Sequence, residues 1–531
     1  MSSARRATAA VGVAVLGLAG CGGAQGGGGA STAGSPVDGK TFTMALPSDP
    51  GTLDPAMTVL SSAVQLDRFL YDPLINLDKS GGATAGLAEK WQAGTTTARF
   101  TLRRGITCAD GSPLTAKDVA ANINFVGDAR NKSPLAGLYV SPGTVARADE
   151  AAREVRVTSK TPDAFLLRNV GGLPIACGKG LADRSSLAKG RHGTGMFTLT
   201  ETVPNDHYTL TRRKDYAWGP GAWHKDVKGL PDKVRVRIIA NETTSANLLL
   251  SGELNAAQVV GPDRQRLTAR KQFAATSETA LGEMWFNQEA GRSGADVSVR
   301  RALTRSLNLS ELGKVLTSGT GKPSRGMAAL APKACPGDSA TGALPEHDLA
   351  AAKSALDKAG WRAGPDGVRV RNGKRLTLTF GYATSIGTTA AAGAELVQKA
   401  WQSVGAKVTL KGIDNAGISQ ILSGAGSWDA VLLPVAVGLP SQIRPFVSGP
   451  TPPDGTNFSR IANKEYDALA DRAGRSTGSA GCAAWRDAEA ALVGNVDVVP
   501  FVDAVIPVFG SGARFELSLA SITPSSIRMY G

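Results

Sequence analysis

Few residues in this 531-residue chain are arranged for covalent chemistry. The histidines, His192, His207, His224 and His347, show none of the spacings that bring two imidazoles to one metal ion. Ser186 and Lys189 stand at the Ser-x-x-Lys spacing of a serine nucleophile and its base, and Gly193-Thr194-Gly195 follows almost at once. Where such motifs cooperate they sit on separate elements, and these are too close in sequence to do so. Gly319-Thr320-Gly321-Lys322 lacks both the upstream glycine and the following hydroxyl residue of a phosphate loop. No Gly-x-Ser-x-Gly elbow occurs. The residues therefore predict no enzyme, no catalytic group, no metal and no cofactor, and leave an exported hydrolase as the weakest alternative.

Cysteine chemistry is better placed. Arg5 and Arg6 precede an uncharged stretch, Ala7 to Gly20, built mostly from Ala, Val, Leu and Gly, which reads as a secretory signal over residues 1–20. That apolar core is shorter than the roughly 20 residues needed to cross a bilayer, and no later segment is long and uncharged enough to do so. The signal ends Leu18-Ala19-Gly20-Cys21, a spacing that resembles the lipobox of bacterial lipoproteins, where the cysteine thiol receives a diacylglyceryl group and becomes the first residue of the mature chain. Several acyl chains on Cys21 would anchor the protein far more firmly than one. Residues 21–34 are rich in glycine and have nothing to bury, so they read as a flexible tether. The expected location is extracytoplasmic, at the cell membrane.

Cys108, Cys177, Cys335 and Cys482 form no Cys-x-x-Cys pair, which argues against zinc and thioredoxin-type sites. An even number in an exported chain favours two disulfides, with three connectivities open. The whole-chain charge is +14; losing Arg5 and Arg6 leaves 57 basic against 45 acidic residues, or +12. These charges are scattered and mixed in sign, without a basic stripe interleaved with aromatics, so no nucleic-acid partner is expected.

Thr41 to Leu46 alternates as a strand, Leu60 to Tyr71 reads as a helix, and Lys90 to Arg104 as a hairpin. Thr115 and Asp118 make a capping box at the start of a helix. Glu154–Thr158 and Phe197–Leu210 are further strands. Helices are expected at Val297–Leu307, at Leu349–Ala359, which Gly360 stops, and at Ala394–Val404; strands at Leu376–Tyr382, Lys407–Leu410 and Ala430–Pro434. This is an α/β chain with short connections.

Gly86-Leu87-Ala88-Glu89-Lys90-Trp91, Phe100-Thr101-Leu102-Arg103 and Asp110-Gly111-Ser112-Pro113-Leu114-Thr115-Ala116-Lys117-Asp118-Val119 resemble the signature of the extracytoplasmic solute-binding proteins of peptide and nickel ABC importers, family 5. Gly193-Thr194-Gly195-Met196-Phe197, Leu249-Leu250-Ser251-Gly252-Glu253-Leu254, Phe286-Asn287, Asp296 to Leu303, Ala359-Gly360-Trp361, Tyr466-Asp467-Ala468-Leu469 and Val499-Pro500-Phe501 follow in the family's order. Most of these would be structural, with Trp91 packed in a core and Arg103 paired with an acid. The resemblance implies a two-lobed, class II periplasmic-binding-protein-like fold with an extra subdomain in the first lobe. Lobe one would comprise residues 35–279 and 501–531, with the subdomain at about 82–191, and lobe two residues 280–500. Pairing Cys108 with Cys177 and Cys335 with Cys482 would keep each bridge within one lobe. The implied function is a monomeric lipoprotein that captures a solute and delivers it to a permease and its ATPase; a sensor or envelope chaperone is the alternative user.

Peptide-binding members hold a free ammonium with an aspartate shortly after a strand of lobe two. In Trp428-Asp429-Ala430 to Pro440, Gly438 stands at that position, and only a larger shift would bring in Asp429. The apolar Val435–Leu439 run and Arg444 would suit an uncharged or anionic organic solute. Position against the family also nominates Leu60, Ser61, Gln258, Trp285, Tyr382 and Asn415 as cleft residues, aromatics to stack and amides to orient.

Overall fold

The computed structural model describes residues 34–221 and 223–531, so Cys21 and nearly all of the tether lie outside the described residues. An 11-stranded sheet runs through the molecule. In chain order its strands are β1 (Thr41–Leu46), β2 (Phe197–Val203), β3 (His207–Arg212), β4 (Lys233–Ile238), β5 (Ala256–Gln258), β6 (Phe273–Phe286), β7 (Lys322–Pro323), β8 (Thr377–Ala383), β9 (Lys407–Ile413), β10 (Ala430–Leu432) and β11 (Val498–Gly510). Their spatial order is β9-β8-β10-β6-β11-β5-β1-β4-β3-β2, with β7 alongside β11. The sheet forms because its strands bury alternate or all side chains: Phe42, Met44 and Leu46 of β1 point inward, and β6 is buried on both faces from Ala280 to Phe286.

Two lobes share this sheet through β6 and β11, which pair antiparallel from Phe273↔Gly510 to Trp285↔Val498. One end of the pair meets β5 at Gln258↔Val508; the other meets β10 at Met284↔Leu432. Midway the register shifts between Ala280 and Gly282 and again between Gly282 and Glu283. Such bulges bend and twist a ladder locally. Gly282 is required at the bend, since a Cβ there would lie 2.6 Å from the Phe501 ring.

A separate four-stranded sheet, Ala88–Ala93, Thr97–Leu102, Glu154–Thr158 and Val145–Asp149, carries the helix Ala116–Gly127 and forms the extra subdomain. Thr115 and Asp118 cap that helix reciprocally, as their spacing predicts. Trp91 is half-buried at the edge of the core. Arg103 departs from expectation: among the described residues it pairs with no acid, and its guanidinium donates to the Gly219 carbonyl at 3.4 Å. The helix expected at Ala394–Val404 begins earlier and spans Thr388–Ser403, because the Ala-rich lead-in has high helix propensity. Gly193 and Gly195 let the chain run against the end of the helix Ser61–Leu70: a Cβ at 193 would sit 1.8 Å from the Leu70 carbonyl oxygen. Thr194 between them is fully buried and its hydroxyl accepts from the Asp72 amide, which gives this motif a structural role.

Disulfides join Cys108 to Cys177 and Cys335 to Cys482. Among the described residues no helix is long and apolar enough to cross a membrane, and no cluster of His, Cys, Asp and Glu could hold a metal ion.

Candidate ligand cleft

The helix α1 (Ser61–Leu70) turns two faces in two directions. Ala63, Leu66, Phe69 and Leu70 bury into lobe one. Ser61, Gln65 and Arg68, at positions i, i+4 and i+7, form the opposite stripe. That stripe faces a cavity of about 430 Å³. The cavity is walled by the end of β1, by α1, by the β6–β11 pair and, from lobe two, by the Val435–Leu439 run and the helix α2 (Asn415–Leu422). Leu135, Tyr139 and Arg168 of the subdomain and the Ser518–Ile522 turn complete it. Its volume falls in the range of small-molecule sites.

The wall is mostly apolar, and its charged residues are Arg68 and Arg168 alone; among the described residues no Asp, Glu, Lys or His lines it. Burial pushes the Arg68 guanidinium below its ordinary value, against the opposing fields of Tyr139 and Asp72. The Asp72 carboxylate itself is held by the Tyr216 hydroxyl at 3.1 Å and the Trp218 indole at 3.0 Å. Several polar groups on the wall lack hydrogen-bond partners among the described residues: Gln65 Nε2, Thr279 Oγ1 and Arg168 Nε. Protein polar groups are rarely left so unless something else is to meet them.

The lobes touch across the cleft mouth. Asn415 Nδ2 donates to Ser48 Oγ at 2.8 Å and to the Asp49 carbonyl at 3.2 Å. Asn169 Nδ2 donates to Ser441 Oγ at 3.2 Å, and Gln442 Nε2 donates to Asn169 Oδ1 at 3.1 Å. Arg168 Nη2 adds a bond to the Pro332 carbonyl at 3.3 Å.

Beneath the Val435–Leu439 run lies a buried carboxyl that the sequence offers no reason to single out. Glu283 Oε2 accepts from the Val435 amide at 2.6 Å, the Glu283 carbonyl accepts from the Leu433 amide at 3.0 Å, and the Trp285 indole donates to the Leu433 carbonyl at 2.8 Å. Burial pushes the Glu283 carboxyl well above the usual range, and the neighbouring Asp503 and Glu489 carboxyls push it further.

Of the nominated residues, Leu60, Ser61, Gln258, Asn415 and Gly438 line the cavity. Trp285, Tyr382 and Arg444 do not. Trp285 is fully buried, its ring 5.0 Å from that of Phe458. Tyr382 lies by Gly412 of β9, and Arg444 forms an ion pair with Asp471 at 2.5 Å. Asp429 is held in the sheet of lobe two, accepting from the Thr379 amide at 2.8 Å and from Arg292 at 3.1 Å. At Gly438 a Cβ would come within 3.0 Å of the Leu330 carbonyl oxygen, with that of Pro332 in ordinary contact at 3.6 Å, so an acidic side chain there would start against one crowded acceptor. Gln65, Arg68, Tyr139 and Arg168 escaped sequence reasoning. For the first two a signal existed, the helical period running on from Ser61.

Residues 83–448 match the family described as bacterial extracellular solute-binding proteins, family 5 middle. The chain is 27% identical over 366 residues to Protein XP55 of Streptomyces lividans, covering 65% of this chain and 61% of that one. It is 26% identical over 348 residues to the oligopeptide-binding protein OppA of Bacillus subtilis, covering 60% and 62%. The chain thus spans less than two thirds of the length of either relative. Its fold is similar to the crystal structure of a substrate-binding protein from Microbacterium hydrocarbonoxydans complexed with 4-hydroxybenzoate hydrazide, with a TM-score of 0.76 and 25% identity over 92% of this chain and 100% of the other.

Proposed function

The chain belongs to the bacterial extracellular solute-binding proteins of family 5, and we propose that it is the substrate-binding component of an ABC importer, capturing a peptide-like or other small organic solute and passing it to a membrane permease. One observation carries this reading: a cavity of about 430 Å³ enclosed by both lobes and bridged at its mouth by Asn415, Ser48 and Asp49.

The physical mechanism is closure. The lobes meet through two strands whose ladder is broken at Ala280–Glu283, which supports lobe boundaries near residues 280 and 501. Few regular bonds resist bending there, and a solute touching both walls stabilises the closed form by the contacts it adds. The Asn415 bridge exists only when the lobes meet, so it reports closure in the same residues that line the site. A permease then recognises the closed pair of lobes, and its ATPase drives release. The working location is extracytoplasmic. Cys21 as a lipidated membrane anchor and residues 21–34 as its tether complete the proposal and lie outside the described residues.

Small-angle X-ray scattering tests closure without knowledge of the ligand. Adding a low-molecular-weight metabolite extract from the host to solute-free protein is expected to reduce the radius of gyration. A radius that no fraction of the extract alters would contradict the proposal.

A further inference from the structure

On the solute-binding reading, the cleft also restricts what the solute can be. We propose that the solute is an organic carboxylate with an apolar body, its carboxylate held by Arg68 with Gln65 and Tyr139, and its body laid against the Val435–Leu439 run.

Charge comes first. Both charged groups on the cavity wall are guanidinium groups, and no acid on it balances them. Arg68 has neither hydrogen-bond nor ion-pair partner among the described residues, although the cleft removes much of its water. Asp72, the acid whose field reaches the half-buried Arg68, lies off the wall and is engaged by the Tyr216 and Trp218 donors, so the guanidinium has no direct partner and the site is completed by an anion. The same wall disfavours a ligand ammonium, which would face two cations and no carboxylate.

Hydrogen bonding supplies the second, independent observation. Gln65 is only 9% exposed, and its Oε1 is fixed by the Ile522 amide at 2.8 Å. That bond settles the amide's orientation and leaves Nε2 as an unpartnered donor on the cavity wall. Gln65 and Arg68 stand on one stripe of α1, three residues apart, so their donors reach the same region of space. The Tyr139 hydroxyl lies in the field of Arg68, and its ring is set by Gly172, where a Cβ would be 3.4 Å from Tyr139 Cε1.

Guanidinium, primary amide and phenol are all donors, and a planar carboxylate accepts from a guanidinium at two parallel positions. A phosphate would present more oxygens and stronger hydration to a wall that is otherwise apolar. Across the cavity, Val435, Val437 and Leu439 offer hydrocarbon. Their backbone is held rigid by the Val435 amide on Glu283 and by the Val437 carbonyl, which accepts from the Leu330 amide at 3.0 Å. Donors on one wall and hydrocarbon on the other match an amphipathic acid.

Isothermal titration calorimetry on the full chain, freed of bound solute, tests this with matched pairs: phenylacetate, 4-phenylbutyrate and 2-naphthylacetate, each beside its primary amide. At least one carboxylate is expected to bind saturably, and its amide about tenfold or more weaker, as a charge-assisted bond contributes. Arg68→Gln should lower carboxylate affinity by about tenfold or more while leaving the amide unchanged, and Arg68→Lys should restore part of it. Thermal melting of both variants would show that they fold. Equal binding of acids and amides, a preference unchanged in Arg68→Gln, or binding by none of the acids would overturn the inference. If amides bind and compact the chain in scattering, the carboxylate assignment falls and the solute-binding reading stands; if neither the pairs nor the host extract compacts it, both fall.

Discussion

At the scale of single residues, the molecule keeps several acids out of water. Asp503 is 4% exposed, and burial raises its carboxyl to about 6, with Ser324 and Lys333 opposing. The native protein then binds a proton over about pH 4 to 6 that the unfolded chain has released. Stability is therefore present at low pH and lost as pH rises through that window. Asp503→Asn, neutral throughout, should flatten this decline by on the order of 2 kcal/mol, measured by urea unfolding at pH 4.5 and pH 7. An identical slope in the variant would show that Asp503 is not the group. A different balance holds at Arg300 and Asp497, an ion pair at 3.0 Å whose side chains are 3% and 2% exposed. Arg300 also donates to the Val496, Gly294 and Asn495 carbonyls, and Asp497 accepts from Gln288, Asn463 and Asn495, so this pair is fully satisfied. Its Arg300-Arg301 motif was legible in the sequence, whereas its acid was not, because the partner lies 197 positions away.

At the scale of elements, legibility followed periodicity. Strand β1 spans the residues its alternation predicts, and Thr115 with Asp118 caps a helix as spaced. Strands β6 and β11 were not read from the pattern at all. Their burial runs unbroken over most of their length, so neither a two-residue nor a 3.6-residue rhythm marks them. These are the strands on which the proposed closure depends. Part of the cleft was legible for a related reason. Ser61 and Asn415 came from their position against the family, but Arg168 comes from the subdomain, and no local signal aims it at a cavity. Trp285 was nominated by its place before Phe286-Asn287; a strand buried on both faces turned its ring into the core. The bend itself yields a prediction. Gly282→Val would place its side chain against Phe501 and Val502 and should destabilise the protein by about 1–3 kcal/mol as an overpacked site. Urea unfolding checks the magnitude, and a variant as stable as the parent would mean that the bulge tolerates bulk and is not tightly packed.

At the scale of the whole molecule, the family likeness fixes the class of protein and the lining of the cleft bears on the proposed solute. A cavity with cationic donors on one wall, hydrocarbon on the other and no lining acid differs from what a free peptide ammonium requires. Gly438 agrees with this, since a Cβ there would already be crowded by the Leu330 carbonyl oxygen. The two lobes are proposed to close over a single small solute. Native mass spectrometry of the protein isolated from its host measures this most directly. The isolated protein is expected to exceed the mass of the bare chain by one small molecule at one-to-one stoichiometry, released on unfolding. Protein that remains at the mass of the bare chain, both as isolated and after incubation with host extract, would contradict it.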